Sequence, residues 1–253
     1  MPRIPTLLAA LLLSSTAFAA PVSLSTADGV SIHADASGQG DHGVLLVHQA
    51  NGSSQEYNYL SQKLSKLSYH VLSIDLRQHG SSGNGPIAED TFPLMVNDVN
   101  AGISWLSDKG AKEITVIGAK FGANLALSAA TDPRVTSLIL VSPGFNLRGV
   151  NISPIKSYGD RPLMLIASAN DTSALKAVNA LEGLASGKTN LLIGDGNISG
   201  AALIGRDPLI ESALIKWLSG AQALSDAEQS DLVTTPKLDT TEEQTNGVRF
   251  GDR

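Results

Sequence analysis

The 253 residues have a hydrophobic fraction of 42%, a charged fraction of 17% and a formal net charge of −6. That composition is globular rather than disordered or fibrous, and a single α/β domain of this length can bury a real core. The acidic balance argues against nucleic acid as a main partner, because phosphate neutralisation needs a basic face, and the lack of cysteine excludes disulfides, thiol nucleophiles and cysteine metal sites.

In chain order, Arg3 precedes a mostly apolar run over residues 4–13, and Ala17-Phe18-Ala19 offers the small residues a signal peptidase needs. The run is about half of the roughly 20 residues that a membrane span requires. Residues 1–19 are therefore expected to be a cleaved signal peptide, leaving a periplasmic or secreted protein with no membrane association. Residues 22–27 and 30–36 alternate around Asp28-Gly29, a hairpin signal. Short runs apolar on both faces then recur at 44–47, 71–74, 114–117, 138–141, 163–166 and 191–193. Strands read this way when helices cover both sides of a parallel sheet. Helical spacing lies between most of them: Tyr57, Leu60, Leu64 and Leu67; Val96, Val99, Ile103 and Leu106 within 94–106; Leu214, Ile215 and Trp217 within 209–218. The alternation predicts a doubly wound α/β domain over residues 20–221, with its ligand site at the carboxyl ends of the strands. Residues 222–253 hold seven acidic and three basic residues without apolar periodicity, and are expected to be a disordered tail.

One strand-to-helix loop stands out. Gly118-Ala119-Lys120-Phe121-Gly122 follows the strand ending at Ile117 and opens a segment rich in small residues. This is the setting of the G-x-S-x-G nucleophile elbow, whose central residue sits in a strained turn between two nearly bare neighbours. Here the centre is Lys120.

Four segments in order resemble the α/β-hydrolase superfamily, nearest to its dienelactone-hydrolase-like and small esterase-like branches. They are Leu45 through Gly52, similar to the oxyanion loop; Asp75-Leu76-Arg77-Gln78-His79-Gly80-Ser81-Ser82, similar to D-x-R-x-x-G-x-S; the elbow; and 162–171 with the region of Asn197, similar to the acid and histidine segments. The resemblance implies an α/β-hydrolase fold without a large lid. It places Lys120 at the nucleophile, Asp171 at the acid, and Ser199 at the histidine; a second register places Asn197 there instead. His48, Gln49 and Phe121 fall in the oxyanion or ligand-binding region. All five histidines precede Lys120, so none stands in the usual place of the base.

A hydroxyl nucleophile needs a neighbouring base. With serine and histidine both replaced, a non-catalytic or strongly diverged protein is expected, one that binds a small, possibly anionic ligand or a protein partner. The competing expectation is a hydrolase using other groups, such as His48 or His79. Lys120 itself has three readings: an ion pair with Asp171, an anion site at the helix N-terminus, or a neutral base or nucleophile. Asp171 also reads as the cap of the helix that follows. His48 and His79 read equally as hydrogen-bonded turn residues, Ser81 and Ser82 as loop residues, and Ser199 as an inert hydroxyl. Neither a cofactor nor a metal is expected, since His48, His79 and an aspartate match no ligand spacing.

Overall fold

The computed structural model describes residues 19–83, 88–194, 196 and 198–220. The expected leader up to residue 18, the tail 222–253 and Asn197 lie outside the described residues. Ten strands form in chain order: β1 (Ala20–Ser25), β2 (Ser31–Ser37), β3 (His42–Val47), β4 (His70–Ile74), β5 (Glu113–Ala119), β6 (Val135–Val141), β7 (Asn146–Leu147), β8 (Val150–Asn151), β9 (Leu163–Ser168) and β10 (Thr189–Gly194). The helices are α1 (Asn58–Lys66), α2 (Val96–Asp108), α3 (Phe121–Ala129), α4 (Ile155–Tyr158), α5 (Thr172–Leu184), α6 (Ala202–Arg206) and α7 (Pro208–Leu218). Eight strands make one sheet in the order β1-β2-β4-β3-β5-β6-β9-β10, antiparallel at β1/β2 and β2/β4 and parallel elsewhere. This is the doubly wound α/β sheet that the alternation predicts, in the α/β-hydrolase arrangement that the resemblance implies.

The central strands are apolar on both faces because both faces are covered. Leu45, Val116, Leu138 and Leu165 pack with Val99 and Ile103 of α2, Leu125 of α3 and Val178 of α5. Their alternates Val44, Leu46, Ile117, Ile139 and Ile166 pack with Leu60 and Leu64 of α1 and with Leu214 and Trp217 of α7. Leu67 of the expected helical stripes falls outside the core, as do Leu94 and Leu209 at the starts of two expected helices. Leu67 is 49% exposed because α1 ends before it and Ser68 turns to φ 64°; Leu94 is 48% exposed because it sits in the tight turn opened by Pro93. The two-residue strands β7 and β8 and the short helices α4 and α6 are too brief to leave a periodic signal.

The D-x-R-x-x-G-x-S segment follows β4 and ties three elements together. The Arg77 guanidinium donates to Asp98 Oδ1 on α2 at 2.7 and 2.8 Å, and to both oxygens of Asp28 in the β1–β2 turn at 2.6 and 2.9 Å. Asp98 is fully buried, and burial raises its carboxyl against the pull of Arg77. Removing the cation strands that buried acid. Arg77→Met is therefore expected to cost about 3–5 kcal/mol, read as a lower urea midpoint, and Arg77→Met with Asp98→Leu should recover part of it. A cost under about 1 kcal/mol would mean that the network is not what holds the hairpin to α2.

Candidate active site at the elbow

The strand ends at β3, β5, β6 and β9 open on one cavity of about 500 Å³. Lys120, Asp171 and Ser199 all line it, together with Gln49 and Phe121. The elbow is built as its glycines predict. A β-carbon on Gly118 would lie 2.3 Å from Gly122 O, and one on Gly122 would lie 2.4 Å from both Val47 O and His48 O. Strand, turn and helix therefore touch backbone to backbone. Lys120 takes the strained centre at φ 48°, ψ −114°, and its N–H donates to Val141 O at 2.8 Å. A non-glycine residue in such a conformation stores on the order of 1–3 kcal/mol of strain.

The ion pair expected between Lys120 and Asp171 is not formed. Among the described residues the Lys120 ammonium makes neither an ion pair nor a side-chain hydrogen bond. Asp171 instead accepts the Ala174 N–H at 3.0 Å through Oδ1 and so caps α5. Beside Lys120, the first N–H groups of α3, on Phe121 and Gly122, have no intrahelical acceptor. The cavity wall thus holds Lys120 and Phe121 at a helix N-terminus, an arrangement that favours an anion.

The oxyanion loop differs from its expected form. The Gln49 backbone N–H points at Glu56 Oε2, 3.4 Å away, so this donor already has a carboxylate. Burial raises the Glu56 carboxyl, and the backbone and side-chain amides of Gln49 oppose the rise. Gln49 Oε1 is buried without a partner among the described residues. A β-carbon on Gly200 would lie 2.4 Å from that oxygen and 3.1 Å from Lys120 Cε, so the loop after β10 closes directly on the elbow.

Neither pocket-side histidine faces the cavity. His48 is fully buried; its Nε2 accepts the Leu76 N–H at 3.0 Å, which leaves Nδ1–H to donate to Gln49 O at 2.7 Å. His79 is held against Arg77 O through Nδ1 and Ala50 O through Nε2. Both rings hold loops in place, and the geometry offers neither as a base. Burial pushes His48 from 6.5 down to about 4, and burial lowers His42 and His70 as well. These depressed values stabilise the fold fully above about pH 6.5, and the gain is lost as pH falls toward 4. Between pH 6.5 and 5 the His48 ring alone should cost about 1 kcal/mol per unit, visible in chemical denaturation at fixed pH. A flat midpoint across that window would contradict a neutral buried ring.

Sequence reasoning missed three neighbours. Glu56 sits in a loop with no motif. Asn124, a fully buried amide in an otherwise apolar helix, donates to Gly144 O and Val150 O at 2.8 Å each and accepts from Gly144 N–H. Its isolation among small residues was the available signal. Arg148 lies at the turn of the β7–β8 ribbon and also lines the cavity. Among the described residues no cluster of three or more His, Asp or Glu side chains could hold a metal ion.

A family model described as serine aminopeptidase, S33, matches residues 38–180, more than half of the chain. Among solved structures, an esterase from Pyrococcus furiosus superposes with a TM-score of 0.67 at 20% identity, covering 81% of this chain and 90% of that one. A dienelactone hydrolase from Anabaena variabilis gives 0.64 at 17% identity, covering 82% and 96%. At such identities the likeness shows the fold. An acyl transferase from Aliivibrio fischeri is 26% identical over 107 residues, 42% of this chain and 35% of that protein. The chain thus spans about a third of the length of the curated relatives it matches.

Proposed function

Since the chain belongs to the serine aminopeptidase S33 family of α/β hydrolases, we propose that it has kept the family's pocket and exchanged its chemistry for binding of a small anionic ligand outside the cytoplasm. The observation that carries this reading is the unpaired Lys120 ammonium at the strained elbow, beside the open N–H groups of α3. The Lys120 stem lies against the Gly200 turn, but its ammonium has no ion pair there, whereas an anion would use its charge. The change at position 199 and the engagement of Gln49 N–H by Glu56 favour binding over turnover. Export rests on the N-terminal segment; β1 begins at Ala20, the first residue after the expected cut.

The test is titration calorimetry with butanoate and with inorganic phosphate as probes. A charge-assisted hydrogen bond contributes about 1.5–3 kcal/mol, so Lys120→Met should weaken binding roughly 10- to 100-fold while Lys120→Arg retains most of it. Lys120→Gly should weaken binding as Lys120→Met does and raise stability by about 1 kcal/mol, because glycine relieves the positive φ. Equal affinity in the Lys120→Met variant would overturn the reading.

A further inference from the structure

A second cation borders the same cavity. The β7–β8 ribbon turns through Arg148 at φ 52° and Gly149 at φ 84°, the two successive left-handed residues of a tight two-residue hairpin. Asn124 holds the ribbon by its bond to Val150 O, and Gly149 lies close against Pro93. The Arg148 guanidinium stacks 4.4 Å from the centre of the Phe92 ring. Stacking occupies its face and leaves its edge donors free. Among the described residues it has no carboxylate partner, and Glu89, which borders the adjoining hollow, makes no ion pair with it. Arg148 forms part of the wall of both the elbow cavity and that hollow of about 320 Å³. The same wall carries apolar surface from Ala50, Pro143 and Leu147 beside the polar Asn51, Ser142 and Ser173. Asp171 is the one acid on the cavity wall among the described residues, and its Oδ1 caps α5.

Two cations without a carboxylate partner, from separate elements on one cavity wall that also carries apolar surface, suit a ligand charged at both ends. Resting on the reading of Lys120 as an anion anchor, we infer that the ligand is a short aliphatic dicarboxylate, one carboxylate on Lys120 and the α3 N–H groups, the other on Arg148. A planar guanidinium edge suits the second carboxylate, which it can meet with two parallel bonds. A cavity of this size takes a small molecule of that kind.

Calorimetry on the full chain tests this with matched pairs: butanoate against butanedioate, hexanoate against hexanedioate, octanoate against octanedioate. One diacid should bind at least tenfold more tightly than its monoacid. Arg148→Met should erase that margin and leave monoacid binding unchanged, while Arg148→Lys should keep part of it. Lys120→Met should weaken both acids. Equal binding of every pair, or an Arg148→Met variant that weakens mono- and diacid alike, would overturn the inference. Monoacid binding that depends on Lys120 without any diacid margin would leave the anion-anchor reading standing and defeat this one. Failure of all six acids to bind would defeat both. Arg148 is exposed on a surface turn, so its variants should keep the parent melting temperature, which serves as the folding control.

Discussion

Gly122→Ala should lower the melting temperature by about 6–12 °C, the response of a domain this size to a loss of about 3 kcal/mol. In an exposed helix the same change would gain up to about 1 kcal/mol, since alanine is the better helix former. The sign reverses here because the new β-carbon would sit 2.4 Å from two carbonyl oxygens of the loop after β3. Backbone is what stands in the way, so no side-chain rotation relieves it. Gly183 in α5 is the matched control: it is helical, and a β-carbon there meets nothing within 4 Å. Gly183→Ala should be neutral or slightly stabilising. Similar losses at both positions would show that helix propensity, rather than the close approach at the elbow, sets the response.

The second large effect concerns turnover. The unaltered chain should hydrolyse short-chain aryl esters no faster than a protein-free blank, and a fluorophosphonate should not label it. Loss of the nucleophile or base from a serine triad costs on the order of 10⁶ in rate. Lys120→Ser alone restores a hydroxyl without a base and should stay unlabelled. Lys120→Ser with Ser199→His places hydroxyl, imidazole and the Asp171 carboxylate around one cavity, and should acquire labelling that the single variant lacks. Adding Glu56→Gln weakens the hold on the Gln49 N–H and should increase that labelling further. Labelling or turnover by the unaltered chain would overturn the binding reading.

The fold was legible because its strands are short, apolar on both faces and separated by helical spacing; that pattern depends on local sequence. The elbow was legible for a similar reason: the spacing of Gly118 and Gly122 reflects a backbone contact within five residues. The dual reading of Asp171 also came from its neighbours, and the capping bond to Ala174 is present. What sequence could not give was the reach of side chains between loops. Whether Lys120 meets Asp171 depends on where the cap holds a carboxylate. Whether Gln49 N–H is free depends on Glu56, seven residues away around a turn. Arg148 owes its place to a ribbon of two-residue strands, below the length at which alternation can be read.

The cap on α5 also bears on how such a site is inherited. Of the three positions that resemble a triad, only the acid keeps the residue type that catalysis would use. Asp171→Ala should cost about 1 kcal/mol through the lost cap, whether or not an ester is ever cleaved. Among the described residues, neither Lys120 nor Ser199 closes a helix end or a buried network with its side chain. A change of side chain at either of those positions removes no such bond from the scaffold, whereas the aspartate is under a structural demand. An aspartate held in this way records what the framework needs, and its presence is no measure of activity.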